Sequence, residues 1–268
     1  MPLVALFSGS RAVHAALRDS VDDTLAVAEA RSFAGLMRLV RDRPTTAVVV
    51  DSGSLPRRTS QDEAVGELAG RFPSLGVVFI ARPHVDPVSL FRLGRTANPR
   101  LFLLPLDVLS PLEMSSAVWG ALRGSTEAMV TRAVSPFVPA REVGIVRLAL
   151  EGAQRGWDTE AMTRALGLTR AHASVRLKSC SLPSVGHLLT WAKLLHAGRW
   201  LTDPGRSAEG VSRQLEYSSG AAFRRALRTY VDMTPTEVRG GGGVLAVLAR
   251  FLDACGLPLS LHRDRSVA

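Results

Sequence analysis

The chain has 268 residues, 46% apolar and 21% charged, which is typical of one or two globular domains and excludes disordered, collagen-like and disulfide-rich chains. Its formal charge is +9, carried by 31 arginines and 2 lysines. Residues 1–136 hold 15 basic and 13 acidic side chains, whereas residues 137–268 hold 18 and 11. The basic excess of the second half predicts a polyanionic partner for that half.

Membrane, export and metal signals are missing from the sequence. No apolar run reaches the length of a transmembrane helix, and the N-terminus lacks the basic start of an export signal. We therefore expect a cytoplasmic protein with no membrane partner. Cys180 and Cys255 stand alone, the histidines have no metal-ligand spacing, and no nucleophile motif is present, so we predict no metal, no cofactor and no enzymatic activity.

Short β-branched runs alternate with amphipathic stretches up to about residue 128. The predicted strands are Leu3–Phe7, Thr24–Ala28, Thr46–Asp51, Gly76–Ala81 and Arg100–Leu104. The predicted helices are Arg11–Asp19, Phe33–Arg43, Gln61–Arg71, Pro87–Arg95 and Pro111–Leu122. Five βα units imply parallel strands with right-handed crossovers. We expect an α/β domain over residues 1–130, with a flavodoxin-like five-stranded parallel sheet.

The composition changes after Thr131. Residues 135–139 contain two prolines, so residues 131–139 are predicted to form an extended linker. Beyond it, short helices are separated by Gly, Ser, Thr or Pro, which predicts an all-α domain over residues 140–240. The expected helices are Ala140–Arg155, Thr159–Leu166, 170–178, Pro183–Leu201, Ser207–Leu215 and Ser219–Val231. They form two helix-turn-helix units joined by a long helix.

Residues 241–268 are expected to add a glycine joint, an extra helix over Val244–Cys255 and a tail. The glycines at 240–243 favour flexibility, and the following stretch is amphipathic. This helix is expected to pack on one of the two domains.

The second helix-turn-helix unit carries a family resemblance. A turn with an aromatic residue and two serines precedes Phe-x-Arg-x-hydrophobic, and Thr-Pro-x-Glu-x-Arg follows. The residues are Tyr217, Ser218, Ser219, Phe223, Arg225, Leu227, Thr234, Pro235, Glu237 and Arg239. Residues 140–240 resemble the DNA-binding domain of AraC/XylS-type transcription regulators. Glu216 and Asp232 stand where that family usually has Gly, so we expect strained or reshaped turns there.

The resemblance implies double-stranded DNA as partner, with two recognition helices in successive major grooves. The implied contacts in the first unit are Arg170, His172, Arg176 and Lys178. Those in the second are Ser218, Ser219, Arg224 and Arg228. Arg225 is expected to bond neighbouring carbonyl oxygens instead. Because residues 220–222 are Gly-Ala-Ala, the second unit is predicted to grip phosphate more than it reads bases. An adaptor that has lost DNA binding is the alternative.

The first domain resembles a two-component receiver. Asp51 ends the third predicted strand, where a receiver carries its phosphoryl-accepting aspartate. Ser8-Gly9-Ser10 replaces the acidic pair that binds Mg²⁺, and Ala81 and Leu104 replace the hydroxyl and lysine. We therefore expect a degenerate receiver that supplies homodimerisation or signal sensing without phosphorylation. A response regulator phosphorylated on Asp51 is the alternative, and RNA polymerase is a further candidate partner.

Overall fold

The computed structural model describes residues 3–20, 25–82, 101–122 and 125–258. They form two compact units, Met1–Ser125 with Trp200–Gln214, and Thr126–Arg199 with Leu215–Ala268. Every helix in the described ranges is too short or too polar to span a bilayer.

The first unit is built on a parallel sheet. Its strands are β1 (Leu3–Phe7), β2 (Ala26–Glu29), β3 (Thr45–Asp51), β4 (Gly76–Ala81) and β5 (Leu101–Pro105). The five described strands lie in the order β2-β1-β3-β4-β5, and each neighbouring pair is parallel. This is the flavodoxin-like order, which confirms the predicted fold class.

Helices cover both faces of this sheet. They are α1 (Arg11–Ser20), α2 (Phe33–Asp42), α3 (Gln61–Arg71) and α4 (Pro111–Leu122). One core joins α2 and α3 to the sheet through Phe33, Leu36 and Leu68, and the opposite core joins α1 and α4 through Leu17 and Met114. All residues of β3 and β4 are buried, as the unbroken apolar runs of central parallel strands require.

The predicted boundaries in this unit lie within two residues of the observed ones. The predicted helix Pro87–Arg95 lies outside the described residues. Two of the histidines considered as metal ligands, His84 and His262, also lie outside the described residues. The same is true of Thr24 and Arg100, the first residues of two predicted strands.

The second unit is helical. Its helices are α5 (Thr126–Val134), α6 (Ala140–Gln154), α7 (Thr159–Leu166), α8 (Arg170–Lys178), α9 (Val185–Trp200, whose last residue is counted with the first unit), α11 (Gly220–Val231), α12 (Pro235–Gly240) and α13 (Val244–Ala254). The intervening helix α10 (Ala208–Gln214) belongs to the first unit. This confirms the predicted all-α region with helix-turn-helix elements.

The predicted linker over residues 131–139 needs correction. Residues 131–134 complete α5, and the second unit begins at Thr126 rather than after the linker. Thr126, Val130 and Val134 are buried at a four-residue spacing, so this stretch has a helical apolar stripe that packs α5 against α6. Only residues 135–139 separate two helices.

The extra C-terminal helix α13 is an integral part of the second unit. It packs against α5, α11 and α12. Its Phe251 is fully buried, and the ring lies 5.6 Å from that of Trp191 on α9. A Cβ at Gly198 of α9 would lie 2.8 Å from a methyl of Val247 and 2.9 Å from Val244 Cα, so glycine permits this close approach.

The segment 200–214 is fixed within the first unit by buried polar contacts. Asp203 accepts hydrogen bonds from the backbone N–H (2.9 Å) and hydroxyl (2.7 Å) of Ser74, and from Arg206 Nε (3.0 Å). Arg206 Nη1 also donates to Gln214 at 2.8 Å and to the Arg43 carbonyl at 3.3 Å. Residues 200–214, predicted as part of the helical domain, therefore fold with the α/β unit.

Candidate nucleic-acid interface

The first helix-turn-helix unit is fixed by caps at each helix start. Asp158 accepts a hydrogen bond from Ala161 N (2.8 Å) at the start of α7. Gly167 ends α7 in the left-handed region (φ 62°), and Thr169 Oγ1 then accepts from His172 N (3.2 Å) to begin α8. The short Gly167-Leu168-Thr169 turn therefore sets the direction of α8.

Helix α8 has one buried and one exposed face. Ala173 and Leu177 are fully buried, whereas Arg170, His172 and Lys178 are exposed. None of these three exposed side chains makes a hydrogen bond or ion pair with the described residues. They are therefore available to an external partner.

Arg176, the fourth predicted contact in α8, is bound internally. Its guanidinium forms an ion pair with Glu142 of α6, and the two side chains are only 18% and 11% exposed. The hydrogen bond from Arg176 holds the pKa of Glu142 below its usual range, against the opposing effect of burial. The geometry favours a role for Arg176 in fixing α8 on α6, because its charge is already neutralised.

Sequence reasoning missed Val175. This side chain is 67% exposed on the same face of α8 as His172 and Lys178. An exposed valine in a helix of this kind can contact the methyl group of thymine. The signal was present in the helical spacing, because Val175 lies opposite the buried residues Ala173 and Leu177.

In the second helix-turn-helix unit, α11 begins after a serine cap. Ser219 Oγ accepts from Ala222 N (3.1 Å), and Ser218 beside it is exposed. Phe223, Leu227 and Val231 form a buried stripe along α11. Ser219 therefore acts first as a helix cap, and its backbone N–H lies at the positive end of the helix dipole.

The arginines of α11 differ in their surroundings. Arg224 and Arg225 are both exposed, and Arg225 makes no hydrogen bond within the described part of the chain. The expectation that Arg225 bonds neighbouring carbonyl oxygens is thus wrong, because it lies opposite the buried stripe. Arg228 is half-exposed, donates to the Asp232 carbonyl at 3.3 Å and lies 3.6 Å from a Glu237 carboxylate oxygen.

Helix α9 separates the two recognition helices along the chain. Leu188, Leu189, Leu194 and Leu195 are buried, and Trp191 packs edge-on against Tyr230 of α11 with ring centroids 5.3 Å apart. Trp191 therefore serves packing, and α9 is a rigid core helix of the second unit.

Residues 162–241 match the profile of a helix-turn-helix domain family. The match covers α8, α9, α10, α11 and α12 and includes the signature residues described above. The chain carries an AraC-type helix-turn-helix domain.

Other comparisons add little to this assignment. No curated protein matches the sequence. The RcsB response regulator of Salmonella typhimurium is 14% identical, over 71% of this chain and 98% of that one, with a TM-score of 0.38. Full-length FixJ from B. japonicum is 13% identical, over 70% and 94%, with a TM-score of 0.36. Scores this low define neither the domain arrangement nor the function of this chain.

The AraC-type domain departs from its family at two glycine positions, and the backbone shows the consequence. Glu216 and Asp232 both have positive φ, 53° and 58°, in the region that favours glycine. Asp232 ends α11 in this left-handed conformation. The turns keep the glycine backbone geometry although the side chains have changed, so both residues are strained as predicted.

The receiver-like aspartate lies in the first unit, apart from this domain in sequence. Asp51 is fully buried, and its carboxylate accepts hydrogen bonds from Ser8 Oγ (2.9 Å), Ser54 Oγ (3.0 Å) and Gly53 N (2.9 Å). Arg82 Nε lies 3.7 Å from it. Among the described residues no three acidic, His or Cys side chains converge as a metal site. Asp51 joins the loops that follow β1 and β3.

Proposed function

We propose that the protein is a sequence-specific regulator that contacts two successive major grooves through α8 and α11. The observation that carries the proposal is the set of exposed cations on two capped helices of one compact unit. Arg170, Lys178 and Arg225 have no internal partner among the described residues, so their charges can be neutralised by DNA phosphates or base edges.

The two helices are assigned different tasks. Helix α8 presents Arg170, His172 and Val175, which can bond guanine or contact thymine, so it is the base-reading helix. Helix α11 begins with Gly220, Ala221 and Ala222 and carries arginines further along, so it binds mainly the phosphate backbone together with Ser218 and the N–H groups behind Ser219.

Binding to selected genomic fragments, measured by fluorescence anisotropy over a range of salt concentrations, tests this proposal. Arg170→Ala and Val175→Ala should change the preferred bases, whereas Arg225→Ala should weaken binding to all sequences and reduce the salt slope by about one unit. Arg164→Ala is the matched control, because Arg164 is exposed on α7 but paired with Glu160. Binding without salt dependence, or equal loss in the control, would contradict the proposal.

Footprinting tests the two-groove geometry. Each protomer should protect two sites on one face of the duplex, separated by about 10 bp if they follow one helical turn. Protection of a single groove per protomer would refute contact by both recognition helices.

We propose further that the first unit mediates homodimerisation without phosphorylation. Leu112 and Trp119 lie two turns apart on α4 and are 80% and 39% exposed, and Val108 just before this helix is 53% exposed. An apolar stripe of this kind on one helix fits a self-complementary two-fold interface. Contact with RNA polymerase, signal sensing and cytoplasmic location stay predictions.

A further inference from the structure

A cleft lies at the carboxyl ends of the parallel strands in the first unit. Its volume is about 390 Å³, and its lining comes from the residues that follow four strands. The lining residues are Phe7, Ser8, Gly9, Ala30, Arg31, Gly53, Ser54 and Arg82. This edge, beside the point where the strand order reverses between β1 and β3, is where open parallel sheets bind ligands.

The cleft is electropositive. Arg31 and Arg82 are the charged residues of its lining, and both side chains are exposed. Arg31 makes no hydrogen bond or ion pair with the described residues. The Asp51 carboxylate behind the lining is fully buried and compensated by three hydrogen bonds as well as by Arg82. Within the described ranges, the positive charge of Arg31 is therefore left without an internal partner.

The remaining polar groups of the lining are engaged with one another. The hydroxyls of Ser8 and Ser54 donate to Asp51, and Gly9 N donates to Ser54 Oγ at 2.7 Å. The Gly53 N–H is also used by Asp51. The donors open to a ligand are therefore the two guanidinium groups, whose planar N–H pairs suit phosphate oxygens.

Arg82 is held in place toward this cleft. Its guanidinium lies across Gly53 so closely that a Cβ there would fall 1.7 Å from Nε. Its backbone N–H donates to Ser52 Oγ at 3.2 Å. Fixing one of the two cations beforehand reduces the entropy lost when a ligand binds.

We propose that this cleft binds a phosphate monoester of a small organic molecule non-covalently, with the phosphate between Arg31 and Arg82. The volume exceeds what a single phosphate needs and lies in the range of small-molecule sites, so the organic part occupies the space beside Phe7 and Ala30. No bond to Asp51 forms in this step. The proposal is independent of DNA binding by the second unit.

Titration calorimetry on the full chain tests the proposed phosphate-monoester site with three probes: inorganic phosphate, ribose 5-phosphate and ribose. Inorganic phosphate should bind saturably, ribose 5-phosphate more tightly, and ribose not at all. Absence of phosphate binding up to roughly 10 mM would overturn the proposal, since two arginines should supply at least that affinity. Equal affinity for phosphate and ribose 5-phosphate would overturn the assignment to a monoester.

Variants identify the site. Arg31→Gln should weaken ribose 5-phosphate binding at least about tenfold, and because Arg31 is exposed this variant should fold normally. Arg82→Gln should do the same, with thermal unfolding checking its loss of contact with Asp51. Arg18→Gln, an exposed arginine of α1 outside the cleft, is the control. Undiminished binding in Arg31→Gln, or equal loss in Arg18→Gln, would contradict the proposal. Mass spectrometry should find Asp51 unmodified and the ligand intact.

Discussion

Asp51 shows how one residue can keep its position in a fold while its surroundings change its chemistry. In this chain its carboxylate is buried and receives three hydrogen bonds, two of them from serines that stand in or beside the loops after β1 and β3. Its oxygens are buried, and among the described residues no pair of acidic side chains lies beside it to hold Mg²⁺. These hydrogen bonds give Asp51 a structural role, because they join the loops that follow β1 and β3.

We expect incubation with acetyl phosphate and Mg²⁺ to leave Asp51 unmodified in intact-mass spectra. Asp51→Asn should lower the free energy of unfolding by about 1–3 kcal/mol, because an amide N–H₂ would face hydroxyl or N–H donors. DNA affinity of the folded variant should be unchanged. A phosphoryl adduct that tightens DNA binding would instead make the protein a response regulator.

Asp232 carries backbone strain that glycine would relieve. Asp232→Gly should raise the free energy of unfolding by about 0.5–1 kcal/mol, since glycine adopts positive φ without the Cβ clash. The contact of Arg228 with the residue 232 carbonyl is retained, because it uses the backbone. Asp232→Ala is the matched comparison and should destabilise the protein. Chemical denaturation measures both, and a loss of stability in the glycine variant would argue against strain.

His196 predicts a pH dependence of stability. Its Nε2–H donates to the Leu150 carbonyl at 2.9 Å, and Nδ1 accepts from Gln154 at 3.2 Å, so the hydrogen bonds require the neutral ring. Burial lowers its pKa, although Glu127 opposes this effect. The unfolded chain therefore binds a proton more readily, and stability from this group is complete above about pH 6.5 and declines as the pH falls. His196→Gln should flatten the slope of unfolding free energy between about pH 7.5 and 5.5. An unchanged slope would refute the assignment.

At the scale of elements, the apolar period of each segment predicted its type and position well. Three predicted helices have the observed ends: Gln61–Arg71, Thr159–Leu166 and Pro111–Leu122. A cap or a proline marks each start, and in the first and third helix the buried residues recur every three or four positions. The prolines that follow residue 134 wrongly indicate a linker over residues 131–134. In the structure these residues are helical, because α5 packs against α6 and its buried residues continue to Val134.

Sequence patterns do not predict which residues far apart in the chain contact each other. Arg176 and Glu142 lie on different helices, and nothing in either segment indicates that the two charges meet. The same holds for Ser74 and Asp203, which are distant in sequence but joined by two hydrogen bonds. The exposure of Val175 and Arg225 follows from helical spacing alone, because each lies opposite the buried residues of its helix.

The buried pair Asp203 and Arg206 fixes the segment leading into α10. Asp203→Ala should destabilise the first unit by about 3–5 kcal/mol, because the guanidinium of Arg206 would lose its charge partner while staying buried. The double variant Asp203→Leu/Arg206→Met should recover most of this loss, since it removes both charges. Thermal unfolding and limited proteolysis around residues 200–214 measure the effect. Equal stability of the single and double variants would show that the pair is not coupled.

The described residues form a flavodoxin-like α/β unit and a helical unit that holds the two proposed recognition helices, α8 and α11. For a DNA-binding regulator, pairing of two protomers doubles the half-sites held and raises avidity without any new base contact. Under the proposed dimerisation, the first unit would contribute to DNA binding without being phosphorylated. It also makes the oligomeric state the measurement that tests the proposed use of this unit.

The exposed residues Leu112 and Trp119 on α4 predict the face through which two protomers pair. Leu112→Glu should convert a dimer into a monomer in sedimentation equilibrium, because a two-fold interface brings the two introduced carboxylates together in an apolar contact. Leu245→Glu is the matched control, since Leu245 is a half-exposed leucine of α13 in the other unit. The monomeric variant should still bind an isolated half-site with unchanged affinity and lose affinity for a paired site, as avidity requires. A Leu112→Glu protein that stays dimeric would place the interface elsewhere, and a wild-type chain that is monomeric on and off DNA would refute pairing through the first unit.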